Sequence, residues 1–367
     1  MKTNILIVGL RISELRGDPQ KTLLGNPMRS WALFTGLGKY GFTTKLFVGG
    51  GCSIEPAIQN EYGNRLIKDS ATFINESKGN ETIVIICGTR IHETIAQHSW
   101  IKDINGSQIV LAQCYHNVIE PLPVNLLDQM KHAFFVTPKY IHAWNEQYPS
   151  IPSSIITTGQ VNSEPDAMDA NGDAIFVGHI HQSHFLNLIA KLAEQNKSKK
   201  FHVVTTRIRE KNSREYVALK DFDSVERDAI FKDLVQSIYG SRCPDNLIYH
   251  FLPPGAEDEL MSQVSIGIDY TWNSNWVLDN SKVPYYLSYG LNVIAHLPAP
   301  SHRFVTKFGA GVKVNQGAPL AEWNKAVKDL SSLSLKDKNR RREVAGEYFS
   351  WDNVVFDVAS VLLEISE

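Results

Sequence analysis

Short apolar runs rich in β-branched residues alternate along the first part of the chain with longer segments of helical periodicity. An unbroken apolar run of a few residues predicts a strand, and apolar residues spaced three and four apart predict a helix. The predicted strands are residues 5–8, 44–48, 82–87, 108–113 and 133–137, and the clearest helices between them are 31–40 and 91–97. Such alternation predicts a parallel sheet covered by helices.

The alternation stops and then starts again, which predicts a second domain of the same kind. Residues 148–168 are rich in Pro, Ser, Thr and Asn, a composition typical of a linker. Beyond them the predicted strands are 174–177, 201–205, 247–249, 265–269, 292–295 and 311–314, and the predicted helices are 184–195, 227–239, 257–263, 281–289 and 320–333. We therefore predict α/β architecture with Rossmann-like domains at 1–160 and 161–346, followed by a helix in 347–367.

Composition and charge agree with this picture and exclude several classes of protein. A length of 367 residues suits two α/β domains, and 43% hydrophobic and 21% charged residues are typical of a soluble globular chain. A net charge of −2 gives no electrostatic reason to expect nucleic acid as a partner. The first apolar run is too short for a signal peptide, and no stretch reaches the length of a membrane span. We expect a cytoplasmic protein.

Residues 338–342 carry the one dense basic run in the sequence. We interpret it as the solvated face of a helix. The alternative is peripheral attachment to anionic lipid at the inner face of the membrane.

Ligands of parallel sheets bind beyond the carboxyl ends of the strands, so polar residues that follow strands are the candidates for function. In the first domain, Arg11 and Arg29 flank a glycine-containing loop, and Arg90 and His92 follow the third predicted strand. We expect them on the acceptor side of a site, while plain βα turns and surface salt bridges stay open as alternatives. His116 follows the fourth predicted strand and is the candidate general base or sugar contact.

In the second domain, Gly178 and His179 end the first predicted strand, where backbone N–H groups can hold a pyrophosphate. His179, His181 and His184 have a spacing that resembles a metal motif. No carboxylate or cysteine is placed to complete that motif, so we expect no bound metal. Tyr270 opens a polar, aromatic loop after a later strand.

A capped helix follows that loop. Asp279 and Ser281 suit its N-cap, Lys282 adds a positive charge in the first turn, and Gly290 suits its C-terminus. Such a helix can accept a diphosphate. An ordinary helix with a surface lysine is the alternative.

The segment SKVPYYLSYGLNVI, residues 281–294, resembles the donor-binding segment of GT-B glycosyltransferases of the family 4-like group. Weaker matches fall in the family's order at residues 4–9, 175–178, 247–260 and 349–351. The resemblance implies two Rossmann-like domains facing across a cleft, with the C-terminal helix crossing back to the first. It also implies metal-independent transfer of a sugar from a nucleotide-diphospho-sugar to a hydroxyl of a glycan, lipid-linked or small acceptor, with no further cofactor.

Carried over by position, the resemblance puts Gly178 and His179 near the pyrophosphate and Ser281 and Lys282 beside the diphosphate. His116 falls near the transferred sugar. Two other functions stay open: a catalytically silent GT-B domain that binds a glycan or partner, and a non-hydrolysing sugar-nucleotide epimerase.

The chain departs from the family where the nucleotide binds. Tyr285 stands in place of the glutamate that contacts the ribose, and Asn292 in place of a proline. Tyr285 or Tyr286 is therefore the candidate ribose contact, and Arg207 with Arg209 is the candidate for the family's basic pair. We favour UDP over GDP, while retention or inversion stays open because the family's acid pair is missing.

Overall fold

A computed structural model gives the fold of the chain. The structure describes residues 3–23, 26–79, 81–88, 91–114, 122–160, 170–180, 183–209, 216–252, 256–270, 282–296, 302–315 and 317–366. The chain divides into a first unit, of residues 1–161 with 349–367, and a second unit, of residues 162–348.

Strands and helices alternate through both units. The strands are β1 (Asn4–Val8), β2 (Glu14–Leu15), β3 (Thr43–Phe47), β4 (Ser53–Ile54), β5 (Leu66–Ile67), β6 (Thr82–Cys87), β7 (Gln108–Cys114), β8 (Met130–Phe135), β9 (Ser153–Ile155), β10 (Ala174–Val177), β11 (Phe201–Val204), β12 (Arg207–Arg209), β13 (Tyr216–Ala218), β14 (Leu247–His250), β15 (Ile266–Asp269), β16 (Asn292–His296) and β17 (Gly311–Val314). The helices are α1 (Pro19–Thr22), α2 (Asn26–Gly36), α3 (Pro56–Tyr62), α4 (Ser70–Ser77), α5 (Ile91–Gln97), α6 (Val124–Leu127), α7 (Pro138–Gln147), α8 (Ser183–Gln195), α9 (Ser224–Tyr239), α10 (Asp258–Gln263), α11 (Lys282–Ser288), α12 (His302–Lys307), α13 (Leu320–Leu330), α14 (Leu335–Tyr348) and α15 (Trp351–Ser366). Short 3₁₀ helices lie at Leu37–Tyr40, Gly63–Arg65, Ser99–Asp103 and Leu219–Asp221.

The first unit is built on a seven-stranded sheet. Its order is β5-β3-β1-β6-β7-β8-β9, and every neighbouring pair is parallel. The central strand β6 is buried along its whole length, as expected for a parallel strand covered on both faces. The C-terminal helix α15 packs on α2 of this unit, where a Cβ at Gly36 would lie 2.7 Å from Val355 Cγ2.

The second unit is built on a six-stranded parallel sheet of order β14-β11-β10-β15-β16-β17. A small antiparallel ribbon, β12–β13, accompanies it. The predicted α/β class is confirmed, and each strand predicted from an apolar run is present.

Residues 148–168, predicted as a linker, contain the edge strand β9. β9 pairs with β8 although it carries Ser153 and Ser154, because one face of an edge strand can stay exposed and needs no apolar run. Across the ranges that the structure describes, no helix is both long enough and apolar enough to span a bilayer.

The interpretation of the basic run of α14 as a solvated helix face is wrong for its first and last residues, Lys338 and Arg342. Lys338 is fully buried, and Arg342 is only 4% exposed. The ammonium of Lys338 donates to three carbonyl oxygens that end α10: Met261 at 3.0 Å, Ser262 at 2.6 Å and Val264 at 3.1 Å. A buried cation suits this place because the last carbonyls of a helix lack partners and carry partial negative charge.

We expect Lys338→Met to lower the free energy of unfolding by about 3 kcal/mol, because it leaves buried carbonyl oxygens without a donor. Urea unfolding followed by circular dichroism measures this loss. Arg340→Met, on the exposed face of the same helix, is the matched control and should stay within about 0.5 kcal/mol of the wild type. A Lys338→Met protein as stable as the control would show that the cap contributes nothing.

We expect His132 on β8 to make the first unit sensitive to acid. Its ring is 9% exposed, and Nε2 lies 2.8 Å from the Oγ of Ser154. Burial lowers the pKa of this imidazole from its ordinary value to about 4. Between these values the unfolded chain binds more protons than the folded one, so stability falls as the pH drops through this window.

We expect His132→Gln to flatten the dependence of stability on pH between about 6.5 and about 4, a window worth up to about 3 kcal/mol. Urea unfolding at both ends of the window measures the slope. The control is His142→Gln, whose ring is largely exposed beside Glu146. An unchanged slope for His132→Gln would assign the acid sensitivity to other groups.

Candidate functional site

The carboxyl ends of β10 and β15 are joined by one side chain, Tyr286 of α11. The two strands pair at their first two residues, and beyond these the tyrosine hydroxyl bridges their backbones by hydrogen bonds. It accepts from the backbone N–H of Val177 at 2.9 Å and donates to the carbonyl oxygen of Ile268 at 3.2 Å. The ring needs a glycine beneath it, since a Cβ at Gly267 would lie 2.3 Å from its Cγ.

Tyr286 is therefore not a ribose contact, which corrects one of the two alternatives from the sequence. Its side chain is fully buried, and burial raises the pKa of the hydroxyl far above the ordinary value. Both hydrogen-bonding functions of the hydroxyl are used by the backbone. The residue holds α11 against the strand ends.

This anchoring places Lys282, the first residue of α11, beside Gly178 at the end of β10. Gly178 has φ +130°, and its N–H donates to the carbonyl oxygen of Val204 at 2.9 Å. A Cβ at this glycine would lie 2.9 Å from Cε of Lys282. The Nζ of Lys282 lies 5.1 Å from the centroid of the Phe176 ring. The position requires glycine for its backbone conformation and for the close approach of the lysine.

The ammonium of Lys282 is partly desolvated. Burial lowers the pKa of its ammonium, and the charge of Asp269 acts in the opposite direction. Asp269 is fully buried at the end of β15. A cation held at low dielectric beside an open glycine backbone interacts strongly with an oxyanion.

An aromatic cluster lies at the ends of β15 and β16. The Tyr270 ring stacks on His296 with 4.7 Å between centroids and 4° between planes. His184, Phe185 and Trp323 lie around Tyr270 at 5.5, 5.0 and 6.0 Å. Burial raises the pKa of Tyr270 to about 12, so its hydroxyl stays protonated at neutral pH. Desolvation and then the charge of His296 lower the pKa of His184, which favours its neutral form.

The sequence predicted Tyr270 but missed His296 and Trp323. His296 is the last residue of its strand, and that position was the available signal. Trp323 lies within α13 and offered no such signal, because its place in the cluster depends on how that helix packs on the sheet.

Tyr285 makes a different contact from its neighbour in the sequence. Its hydroxyl donates to Oε1 of Glu257 at 2.6 Å, and Tyr289 donates to Asp258 one helical turn later. Burial and then the neighbouring Tyr289 and Glu257 raise the pKa of Tyr285. Glu257, at the N-cap of α10, is 9% exposed. A buried carboxylate thus lies directly against the position where the family motif has its glutamate.

The predicted basic pair lies near the loop after β10. Arg207 and Arg209 are the ends of β12, and a parallel bridge joins Ile180 to Ile208 between them. The backbone of β12 therefore runs beside the segment that follows His179, whose side chain is exposed.

In the first unit, α2 covers the ends of β1 and β6. A Cβ at Gly9 would lie 2.3 Å from the Oγ of Ser30. Burial raises the pKa of the Cys87 thiol to about 11, against the hydrogen bond from Ser30 and the charge of Arg29. Arg29 is only 6% exposed, so its charge lies within the unit near the end of β6.

The remaining predicted residues are only partly described. Arg11 is exposed, and its backbone N–H donates to Oε1 of Gln97 at 3.0 Å. His92 is half-buried in the first turn of α5. Outside the described residues lie Arg90, His116, His181, Asp279 and Ser281. Within the described ranges, no group of three or more His, Cys, Asp or Glu side chains is arranged to hold a metal ion.

Two Rossmann-like units in this order define the fold of the GT-B glycosyltransferases, and solved structures of such enzymes match nearly the whole chain. A glycosyltransferase from Rickettsia africae superimposes with TM-score 0.60 and 12% identity over 99% of this chain and 98% of that one. HepE of Anabaena, in complex with UDP-glucose, gives 0.59 and 10% over 98% and 99%. An O-GlcNAc transferase of Thermobaculum terrenum gives 0.59 and 11% over 100% and 68%.

No protein-family model matches the sequence, and no curated protein matches it. At identities near 10%, the structural similarity shows the fold alone.

Proposed function

We propose that the protein is a glycosyltransferase and that its second unit binds a nucleotide-diphospho-sugar. The observation that carries this proposal is the ammonium of Lys282, held by Tyr286 beside the glycine that ends β10. A GT-B fold supports sugar transfer as the chemistry. The UDP-glucose bound to HepE, which shares the fold, supports a UDP-linked donor.

The leaving diphosphate gains negative charge as its bond to the sugar breaks. In our proposal Lys282 stabilises that charge without a metal, and Asp279 and Ser281, which precede it in the sequence, belong to the same donor-binding segment. Gly178 and His179 contact the pyrophosphate, and Arg207 contributes from the neighbouring ribbon. A preformed cation is effective here because it needs no rearrangement as charge develops.

The ribose is contacted through the pair of Tyr285 and Glu257. A carboxylate accepts hydrogen bonds from two hydroxyls well, and the tyrosine hydroxyl already holds one of its oxygens. Tyr270 directly follows β15 and contributes its protonated hydroxyl to the proposed donor site.

The acceptor binds to the first unit, where Arg11, Arg29, Arg90 and His92 are the proposed acceptor-side residues. His116 takes the proton of the acceptor hydroxyl as its oxygen attacks the anomeric carbon and the nucleoside diphosphate leaves. The acceptor is a glycan or a lipid-linked sugar. The protein acts in the cytoplasm, at the inner face of the membrane when the acceptor is lipid-linked.

We expect Lys282→Met to weaken UDP binding by about 10- to 100-fold, because a charge-assisted contact to phosphate is lost while the packing of the stem is kept. Isothermal titration with UDP and with UDP-glucose measures the affinity. The matched control is Lys336→Met, an exposed lysine in the same unit. Equal affinity in wild type and Lys282→Met would remove Lys282 from the site. A wild-type protein that binds neither UDP nor GDP would favour a silent partner-binding protein.

His116→Ala should abolish turnover while UDP affinity stays within a few-fold of the wild type, because the base takes part in the reaction and not in donor binding. Release of UDP from UDP-glucose, with and without candidate acceptors, measures turnover. His142→Ala, an exposed histidine of the same unit, is the control. Full turnover in His116→Ala would contradict the assigned role.

A further inference from the structure

Two cations of the first unit flank three consecutive glycines. Arg11 follows β1, Lys68 follows β5, and residues 49–51 follow β3. The three strands are parallel neighbours in the order β5-β3-β1, so their carboxyl ends lie along one edge of the sheet. That edge is where a parallel sheet binds its ligands.

The loops that carry these residues are fixed to one another. β2 and β4 form a parallel ribbon, and at its start the N–H of Ser53 donates to the carbonyl oxygen of Ser13 at 3.0 Å. The N–H of Cys52 donates to the carbonyl oxygen of Gly49 at 3.2 Å and closes the turn. The backbone beside Arg11 is therefore set before any ligand arrives.

The guanidinium of Arg11 lies against the glycine turn. A Cβ at Gly51 would lie 2.6 Å from Nη2 of Arg11, and a Cβ at Gly50 would lie 3.6 Å from the carbonyl oxygen of Lys68. Burial raises the pKa of the adjacent Cys52 thiol, the charge of Lys68 opposes that rise, and the charge of Glu14 adds to it. Both cations thus act at the same turn.

Neither Arg11 nor Lys68 has a hydrogen-bond or ion-pair partner for its side chain among the residues the structure describes. Three other cations of this unit are paired with acids: Lys39 with Asp352 at 2.7 Å, Lys45 with Glu76 at 2.7 Å and Arg16 with Glu14 at 3.5 Å. The glycine turn therefore lies beside two cations that pair with no acid among the described residues, and Glu14, whose charge also acts on Cys52, pairs with Arg16.

We propose that Arg11, Lys68 and the glycine turn bind a phosphate group of the acceptor. A phosphate monoester carries close to two negative charges at neutral pH, which two cations match. The planar guanidinium binds such a group through two parallel hydrogen bonds, and glycine lets backbone N–H groups approach it closely. The proposal rests on the proposed function, in which the first unit receives the acceptor.

Cys52 provides a local reporter for this site. Its thiol is half-buried, whereas those of Cys87 and Cys243 are buried. The thiolate displaces iodide from anionic iodoacetate and from neutral iodoacetamide alike. The ratio of the iodoacetate rate to the iodoacetamide rate at Cys52 therefore reports local positive charge independently of the thiolate fraction. Peptide mass spectrometry on the full chain measures both rates.

We expect Arg11→Ala and Lys68→Ala each to lower this ratio several-fold, because each removes one charge beside the thiol. Inorganic phosphate should lower the ratio in the wild type by occupying the site, and should have little effect in either variant. Gly51→Ala keeps both charges but displaces the guanidinium, so it should weaken the effect of phosphate several-fold. Lys131→Ala, an exposed lysine on β8, is the matched control and should behave as the wild type.

Sodium chloride and sodium acetate at matched ionic strength separate phosphate binding from general screening. An effect of phosphate no larger than that of chloride or acetate, or one that survives Arg11→Ala, overturns the proposal. Glucose 1-phosphate and vesicles containing phosphatidic acid replace inorganic phosphate in two further arms. Protection by the sugar phosphate indicates a soluble acceptor, protection by the vesicles indicates a lipid-held one, and either supports the site.

The two proposals fail separately. Lys282→Met should leave the effect of phosphate at Cys52 unchanged, because Lys282 is not part of the proposed phosphate site. A wild type that shows the phosphate effect but binds no nucleotide contradicts the donor site only. Nucleotide binding without the phosphate effect contradicts the acceptor phosphate site only.

Discussion

One tyrosine hydroxyl sets the geometry of the second unit where its two central strands stop pairing. Tyr286 replaces the missing ladder between β10 and β15 with bonds to Val177 and Ile268. This is feasible only because Gly267 has no side chain to meet the ring. Residues four apart share one face of a helix, so fixing Tyr286 also fixes Lys282 at the strand end. The position of the proposed donor charge follows from a buried structural contact.

Two basic residues of α14, Lys338 and Arg341, are structural because they donate hydrogen bonds to acceptors outside their own helix. Lys338 supplies donors to the last carbonyls of α10, which have no other helical partner. Arg341 donates to the carbonyl oxygen of Gly290 at 3.2 Å and to Oδ1 of Asn292 at 2.9 Å. The Nδ2 of Asn292 donates in turn to the carbonyl oxygen of Leu330 at 2.7 Å. A proline, usual there in the family that the sequence resembles, has no such side chain, so this departure has a structural reason.

The missing glutamate at position 285 has a different explanation. Tyr285 holds the carboxylate of Glu257, which comes from another helix and is itself buried. A tyrosine paired with an acid offers an acceptor close to where the family's glutamate would offer one. In the proposed donor site the carboxylate therefore comes from Glu257, at the N-cap of α10, and not from position 285.

The sequence by itself determined the α/β class and the strands with apolar runs, and it proposed Gly178 and Lys282 as donor-site residues, which the structure brings close together. These features follow from residues a few positions apart, because a strand buried on both faces must be apolar throughout and a helix start needs a cap. Short strands such as β2, β4 and β5 have too few residues to form a pattern.

Only the tertiary structure decided which polar side chains are structural. Tyr286 and its partner Val177 are 109 positions apart, and Lys338 and Met261 are 77 apart. Nothing local distinguishes Tyr285 from Tyr286, or Lys338 from an exposed lysine. Their roles depend on which distant backbone groups lack a partner once the sheet and helices have packed.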